Sequence, residues 1–129
     1  MKKQFLLMMC CLFFLAVLSS CFHRHHHTSI SISDSRNIYQ LYASYDKNKT
    51  HKLQRLLDED LRDDNDWSFK NERVDETITL DDRTTFYMRL YPGELKIKLD
   101  KSENSEESCQ KMKDVFEDIK YLLGENNTR

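Results

Sequence analysis

The clearest pattern of apolar and polar positions in this chain is an alternation on both sides of Pro92-Gly93. Three apolar side chains recur at every second position before this dipeptide and three after it: Phe86, Met88 and Leu90, then Leu95, Ile97 and Leu99. A period of two is typical of a half-buried strand, and a Pro-Gly pair marks a turn. The pattern therefore predicts a β-hairpin.

A single register of this hairpin satisfies both of its faces. On the apolar face, it pairs Leu90 with Leu95, Met88 with Ile97, and Phe86 with Leu99. On the polar face, it pairs Tyr91 with Glu94, Arg89 with Lys96, and Tyr87 with Lys98. Because a slip of one residue would turn the apolar set towards water, we expect this register to be strongly favoured.

Two other stretches repeat apolar residues at spacings of three and four, which is typical of amphipathic helices. The first is expected to run from a cap at Asp46 or Thr50 to about Leu61. The second runs from about Ser105, with that residue or the one before it as the cap, to Leu123. The apolar stripes are Leu53, Leu56, Leu57 and Leu61 in the first helix, and Cys109, Met112, Val115, Phe116, Ile119, Leu122 and Leu123 in the second.

Three shorter segments complete the predicted body. The stretch 37–45 fits a strand by alternation and a helix by its other apolar positions, and its aromatic residues favour the strand. Trp67–Lys70 and Thr77–Leu80 also have the pattern of short strands. We therefore predict an α+β fold: a small antiparallel β-meander of about four to five strands, covered on one face by two helices.

The first 21 residues have a different pattern, with a charged tip, an apolar run and a small-residue site in order. Lys2 and Lys3 precede the apolar run Phe5–Val17, which ends at Leu18-Ser19-Ser20-Cys21. This arrangement has the regions of a secretory signal peptide. Its last four residues resemble the lipobox of bacterial lipoproteins. The resemblance implies cleavage after residue 20, lipidation of Cys21 and attachment to a membrane.

An uncleaved membrane anchor is the alternative for this segment. As a helix, Phe5–Leu18 would extend only ~21 Å, short of the ~30 Å hydrocarbon core of a bilayer. The predicted organisation is a signal peptide at 1–20, the lipidated cysteine and a flexible histidine-rich tether at 21–36, one domain at 37–124 and a frayed tail at 125–129. Within the tether, Ile30 and Ile32 alternate with serines, so pairing at a sheet edge is the weaker alternative there.

Composition narrows the function classes. The chain has 20 Lys and Arg against 22 Asp and Glu, and removal of Lys2 and Lys3 with the leader leaves 18 against 22, a net charge of −4. A basic footprint for nucleic acid is absent. With only Gly93 and Gly124 as glycines, a glycine-rich phosphate loop is also excluded, and no cofactor or small-molecule ligand is predicted.

The tether contains four closely spaced histidines: His23, His25, His26 and His27. Neutral imidazoles bind zinc, copper or nickel, but a metal site needs ligands held in place by a second shell of contacts. A solvated spacer that gains positive charge below about pH 6.5 is therefore the favoured interpretation, and metal binding is the weaker alternative.

The polar face of the hairpin is the main candidate for partner binding. It interleaves two tyrosines with three basic residues: Tyr87, Arg89, Tyr91, Lys96 and Lys98. The functional interpretation is a docking face for an acidic partner, either a protein or an anionic glycan. The alternative is a solvated sheet face whose neighbouring strands supply counter-charges, as the directly opposed Arg89 and Lys96 would require.

Two further features suggest chemistry only weakly. The acidic run 58–66 invites calcium, yet an EF-hand alignment from Asp64 places Phe69 where the loop requires glycine. Cys109 lies on the apolar stripe of the second helix, where a buried thiol is inert, and His51 is not an evident partner for it. No catalytic constellation stands out.

The sequence thus predicts a non-enzymatic lipoprotein of a bacterial cell envelope. We expect it to be anchored to the cell membrane or outer membrane, facing the periplasm, and to bind another envelope protein as a scaffold or accessory subunit. Two alternatives remain at this point: an immunity or inhibitor lipoprotein that blocks an enzyme or toxin in the periplasm, and a small envelope hydrolase.

Overall fold

A computed structural model describes residues 27–61, 69 and 73–124. This part of the chain forms five strands and two helices, with two short 3-10 turns. In chain order, the elements are β1 (Ser29–Asp34), β2 (Ile38–Ser44), a 3-10 turn (Lys47–Lys49), α1 (Thr50–Asp60), β3 (Val74–Thr79), β4 (Thr85–Tyr91), β5 (Glu94–Asp100), a second 3-10 turn (Lys101–Glu103) and α2 (Glu106–Gly124).

The five strands form one antiparallel sheet in the order β1-β2-β5-β4-β3. Strands β3, β4 and β5 follow one another as a meander, and β2 joins this meander by pairing with β5. The predicted α+β class and the sheet with its two helices are therefore confirmed. The pairing of β2 with β5 places the hairpin strand β5 at the centre of the sheet.

The predicted register of the hairpin is confirmed. Met88 lies opposite Ile97 and Leu90 opposite Leu95 on one face, and Arg89 lies opposite Lys96 on the other. Gly93 closes the turn with a φ of +86°, a backbone conformation that residues with a Cβ atom rarely adopt.

The core lies between one face of the sheet and the two helices. The inward residues of β2, β4 and β5 are buried together with apolar residues of both helices. Tyr39 of β2, for example, stacks on Phe116 of α2 with 4.6 Å between the ring centroids. One face of the sheet is thus covered, and among the described residues no helix covers the opposite face, which we call the outer face.

Polar side chains begin both helical segments near the predicted caps. Asp46 accepts a hydrogen bond from the backbone N–H of Asn48 (3.0 Å) and so caps the 3-10 turn that leads into α1. Ser105 accepts one from the N–H of Ser108 (3.0 Å) and caps α2. Lys49 Nζ also donates to the carbonyl of Leu123 (2.9 Å), which links the start of α1 to the end of α2.

The predicted boundary between tether and domain is wrong. The stretch expected to be flexible up to residue 36 contains β1, which pairs with β2 over Ser29–Asp34. Its alternation explains the pairing, because Ile30 and Ile32 lie opposite Ala43 and Leu41 and pack against the core. The sheet therefore includes Ser29–Asp34, which the prediction had assigned to the tether.

The strand predicted at Trp67–Lys70 is wrong at Phe69, which lies in a turn. Its backbone N–H donates to Asp58 Oδ1 (2.8 Å), so this amide is bound to the end of α1. The ring is buried, with only 2% exposed. The apolar side chain that suggested a strand fills the core from a turn instead. The other residues of that segment, like the predicted signal peptide and the frayed tail, lie outside the described residues.

Candidate docking face

All five residues predicted for the docking face lie together on the outer face of the sheet. Tyr87, Arg89 and Tyr91 project from β4, and Lys96 and Lys98 from the adjacent β5. The flanking strands add side chains that the hairpin alone could not supply: Gln40 and Tyr42 from β2, and Asp75 and Thr77 from β3.

Asp75 organises both tyrosines of β4. The hydroxyl of Tyr87 donates a hydrogen bond to Asp75 Oδ1 (2.7 Å), and the hydroxyl of Tyr91 donates one to Asp75 Oδ2 (3.3 Å). The hydrogen bond to this carboxylate, with the nearby negative charge, raises the pKa of Tyr87 above its usual value. One carboxylate on the edge strand therefore fixes two aromatic rings on the outer face.

Arg89 makes contacts with an aromatic ring and a carboxylate on the same face. Its guanidinium carbon lies 4.7 Å from the centroid of the Tyr91 ring, within the range of a cation–π interaction. Its Nε atom is 3.9 Å from Glu94 Oε1, and the charge of Glu94 raises the pKa of Arg89. Asp75 lies opposite Arg89 on β3. The positive charge at this position thus has neighbouring counter-charges, as the alternative interpretation expected.

Lys96 and Lys98 are arranged differently. Lys96 lies between Tyr42 of β2 and Arg89 of β4, and Lys98 lies between Gln40 and Tyr87. Within the described part of the chain, neither ammonium group has a carboxylate oxygen within 4.0 Å. The flanking strands therefore provide no ion-pair partner for the two cations at the centre of the sheet.

The sequence analysis missed Tyr42, which is 41% exposed beside Lys96. The alternation of Tyr39, Leu41 and Ala43 predicts that Tyr42 points to the other side of its strand. What could not be read from the sequence was that β2 pairs with β5, since this pairing joins residues that are far apart in the chain, such as Tyr42 and Lys96. Asp75 was missed for a different reason: β3 begins at Val74, before the predicted strand start at Thr77.

The lipidation and metal candidates are only partly covered by the structure. Cys21, His23, His25 and His26 lie outside the described residues, and His27 is exposed just before β1. Across residues 27–61, 69 and 73–124, no group of three or more His, Cys, Asp or Glu side chains could hold a metal ion. No helix in these ranges is long and apolar enough to cross a membrane.

One carboxylate of the described part of the acidic run contacts a carboxylate of α2. Asp60, at the end of α1, lies beside Asp118 of α2, and its Oδ2 atom is buried without a hydrogen bond. Burial, together with hydrogen bonding to and repulsion from Asp118, raises the pKa of Asp60 to about 6. Both residues line an open depression of about 400 Å³ on the side of the helices.

Cys109 lies on the side of α2 that packs against the core and is only half-buried. The buried polar residue beside it, Ser108, accepts a hydrogen bond from the hydroxyl of Thr84 (2.8 Å). This bond links α2 to the segment before β4. His51, which was not an evident partner for this thiol, is exposed on α1.

Comparison of the chain with protein-family models, with curated proteins and with solved structures gave no match.

Proposed function

We propose that this chain is a lipid-anchored lipoprotein of a bacterial cell envelope that binds another envelope protein on its outer face, without catalysis of its own. Two features support this proposal. One is the lipobox-like sequence that ends at Cys21. The other is the pair of cations, Lys96 and Lys98, which have no carboxylate oxygen within 4.0 Å among the described residues and lie near the exposed Tyr42.

The anchor can be tested by metabolic labelling with radioactive palmitate in a bacterial host. The wild-type chain should become labelled, and the Cys21→Ala variant should not. Cys109→Ala serves as the matched control, because it removes a cysteine of the folded domain and should leave the labelling unchanged. Equal labelling of the wild type and Cys21→Ala would contradict lipidation at this position.

The chemistry of the outer face favours an acidic protein segment as the partner. Two lysines at the centre of the sheet would attract carboxylates, and Tyr42 and Tyr87 beside them offer apolar ring surface with polar hydroxyl groups. Tyrosine is enriched in protein interfaces for this reason. Because the complementarity is electrostatic, association should weaken and slow as the salt concentration rises.

Charge reversal tests this assignment. Tagged full-length chain is isolated from envelopes of the native host, and the co-purified proteins are identified by mass spectrometry. Lys96→Glu combined with Lys98→Glu should remove the partner. The matched control, Lys52→Glu with Arg55→Glu, makes the same change of net charge at exposed positions of α1 and should retain it.

A partner retained by the outer-face variant would contradict the proposal, provided that circular dichroism shows the variant to be folded. A partner lost equally from both variants would indicate a response to net charge and would also contradict it. If the captured protein is an enzyme or toxin that the chain inhibits, the immunity or inhibitor function follows for the same face.

A hydrolase is the second candidate, and the observation that favours it is the pair Asp60 and Asp118. A carboxylate with a pKa near 6 could act as a general acid or base. However, Val115 is the one apolar residue among the seven that line the depression, whereas ligand pockets are mostly apolar. If the pair were catalytic, Asp60→Asn would abolish an activity of the purified chain. We expect no such activity to be found.

A further inference from the structure

The two edges of the sheet differ in how they discourage pairing with another strand. At the β3 edge, Glu76 lies opposite the inward-facing Met88 and yet remains exposed, and Asp75 lies on the outer side. Inward-pointing charge is a common protection of an edge strand against pairing. At the β1 edge, residues 29–33 are serines and isoleucines without any charge, proline or glycine. The β1 edge therefore lacks the protection that the β3 edge has.

The hydrogen bonds of the β1–β2 turn show which backbone groups of β1 point away from β2. The N–H of Ser35 donates to the carbonyl of Ile38 (2.9 Å), so this pair is hydrogen-bonded. In an antiparallel ladder, hydrogen-bonded pairs alternate. Ser29, Ser31 and Ser33 therefore bond to β2, and the N–H and C=O groups of Ile30 and Ile32 point away from it. The two isoleucines that pack inward also carry the backbone groups for which the described residues provide no strand partner.

We propose that β1 pairs antiparallel with β1 of a second copy of this chain, in a register centred on Ser31. This register places Ser31 opposite Ser31, and Ile30 of each copy opposite Ile32 of the other. Every outward-facing serine then meets a serine, and every isoleucine meets an isoleucine. The strand is self-complementary, as the twofold symmetry of a homodimer requires.

Neighbouring registers fit less well. A shift by one residue would place serine opposite isoleucine, so the outer and inner faces of the two sheets would no longer match. A shift by two residues, centred on Ile32, would place Asp34 opposite Ile30 of the second copy. Asp34 is already bound to Lys101, which also donates to the carbonyl of Ser35 (2.7 Å). The register centred on Ser31 leaves this ion pair outside the isoleucine contacts.

The pairing would have two structural consequences. Ile30 and Ile32, which are half-buried in the single chain, would gain apolar neighbours across the new strand pair. The two five-stranded sheets would also become one continuous sheet of ten strands, with both outer faces on the same side. The pairing requires neither lipidation nor the proposed partner of the outer face.

The test is co-purification of two differently tagged copies of the full-length chain, produced together and extracted in mild detergent. Wild-type copies should co-purify. Ser31→Lys in both copies should abolish this, because two like charges would lie directly opposite each other. Ser31→Lys in one copy with Ser31→Asp in the other should restore it. Thr77→Lys, an exposed outer-face position on the opposite edge strand, is the matched control and should have no effect.

A second variant tests the backbone contribution. Ile32→Pro removes an N–H that points away from β2, a position where an edge strand tolerates proline. It should also abolish co-purification. Failure of wild-type copies to co-purify would overturn the proposal. So would co-purification that survives Ser31→Lys, which would locate the contact elsewhere, or a Lys and Asp combination that restores nothing, which would exclude this register.

Discussion

The two faces of the β4–β5 hairpin are built from alternate residues of the same strands, yet different interactions surround their side chains. On the inner face, Met88, Leu90, Leu95 and Ile97 are each fully buried. On the outer face, Arg89 lies near Glu94 and Tyr91, whereas Lys96 and Lys98 have no carboxylate within 4.0 Å in the described part of the chain. The inner-face side chains are thus fully buried, whereas two lysines of the outer face have no ion-pair partner among the described residues.

This difference shows what each face contributes. Burial of apolar area is additive and non-directional, so an inner face of any well-packed apolar residues supports the fold. The arrangement on the outer face depends on which charges and hydroxyl groups become neighbours across strands. We therefore expect substitutions on the inner face to act mainly on stability, and those on the outer face to act mainly on binding.

The largest expected effect is that of an inner-face charge. Ile97→Asp places a carboxylate where the side chain is 0% exposed, at a cost of about 3 kcal/mol or more in the free energy of unfolding. Lys98→Asp, at the next position on the outer face, should change it by less than about 0.5 kcal/mol. Urea denaturation followed by circular dichroism measures both. If Ile97→Asp were as stable as Lys98→Asp, the two faces would be assigned incorrectly.

The next largest effect concerns the turn that sets the register of the two faces. Gly93→Ala would strain a backbone with φ of +86° and place a Cβ atom 3.1 Å from the carbonyl oxygen of Tyr45. We expect a loss of about 2 kcal/mol, measured by thermal or chemical denaturation. The control is Gly124→Ala at the end of α2, where an added Cβ meets no atom within 4 Å. A change of equal size at both glycines would exclude strain as the cause.

A smaller effect on stability is expected where α1 meets α2, from the raised pKa of Asp60. Because the folded state holds this proton up to about pH 6, against a usual value of 3.8, stability from this group is complete below about pH 4. It is lost as the pH rises through about 6. Asp60→Asn should remove this loss and make the chain more stable at pH 7, by about 1 kcal/mol after allowance for solvent screening.

The measurement for Asp60 is the urea midpoint between pH 4 and pH 7. Asp118→Asn, which removes the second carboxylate, should weaken the pH dependence without eliminating it, because burial is the largest cause of the raised pKa. A wild-type midpoint that does not fall over this range would contradict the raised pKa of Asp60.

The smallest expected effect is a lower pKa of Tyr87 on the outer face, with little change in the free energy of unfolding. Asp75→Asn removes the negative charge that accepts the hydroxyl hydrogen bond of Tyr87, so the pKa of Tyr87 should fall. The ultraviolet absorbance of tyrosinate, followed in an alkaline titration of both proteins, measures the shift. An unchanged titration curve would show that Asp75 does not fix this ring in solution.

The parts that the sequence predicted correctly are those fixed by short-range pattern. The hairpin register follows from the alternation of apolar residues around Gly93, and the start of α2 follows from Ser105 as its cap. The parts that it could not predict depend on distant pairing. Nothing local indicates that Tyr42 comes to lie beside Lys96, or that Phe69 is fixed in a turn by Asp58.

The edge strand β1 lies between these two cases. The alternation of Ile30 and Ile32 with serines was visible in the sequence, but strand formation depended on β2 being available as a partner. The histidine-rich stretch before it, residues 22–29, has neither a strand nor a helix period and favoured a tether instead. Local pattern thus defined the two sides of the strand, and tertiary pairing decided whether the strand formed.

The most direct test of the docking face is photo-crosslinking in the envelope of the native host. A photoreactive phenylalanine replaces Tyr42, which is 41% exposed on the outer face, or Tyr121, which is 73% exposed on α2. We predict a covalent adduct with one other envelope protein from position 42, and none with that protein from position 121. An adduct from position 121 alone, or none from either position, would contradict the claim that the outer face is where the partner binds.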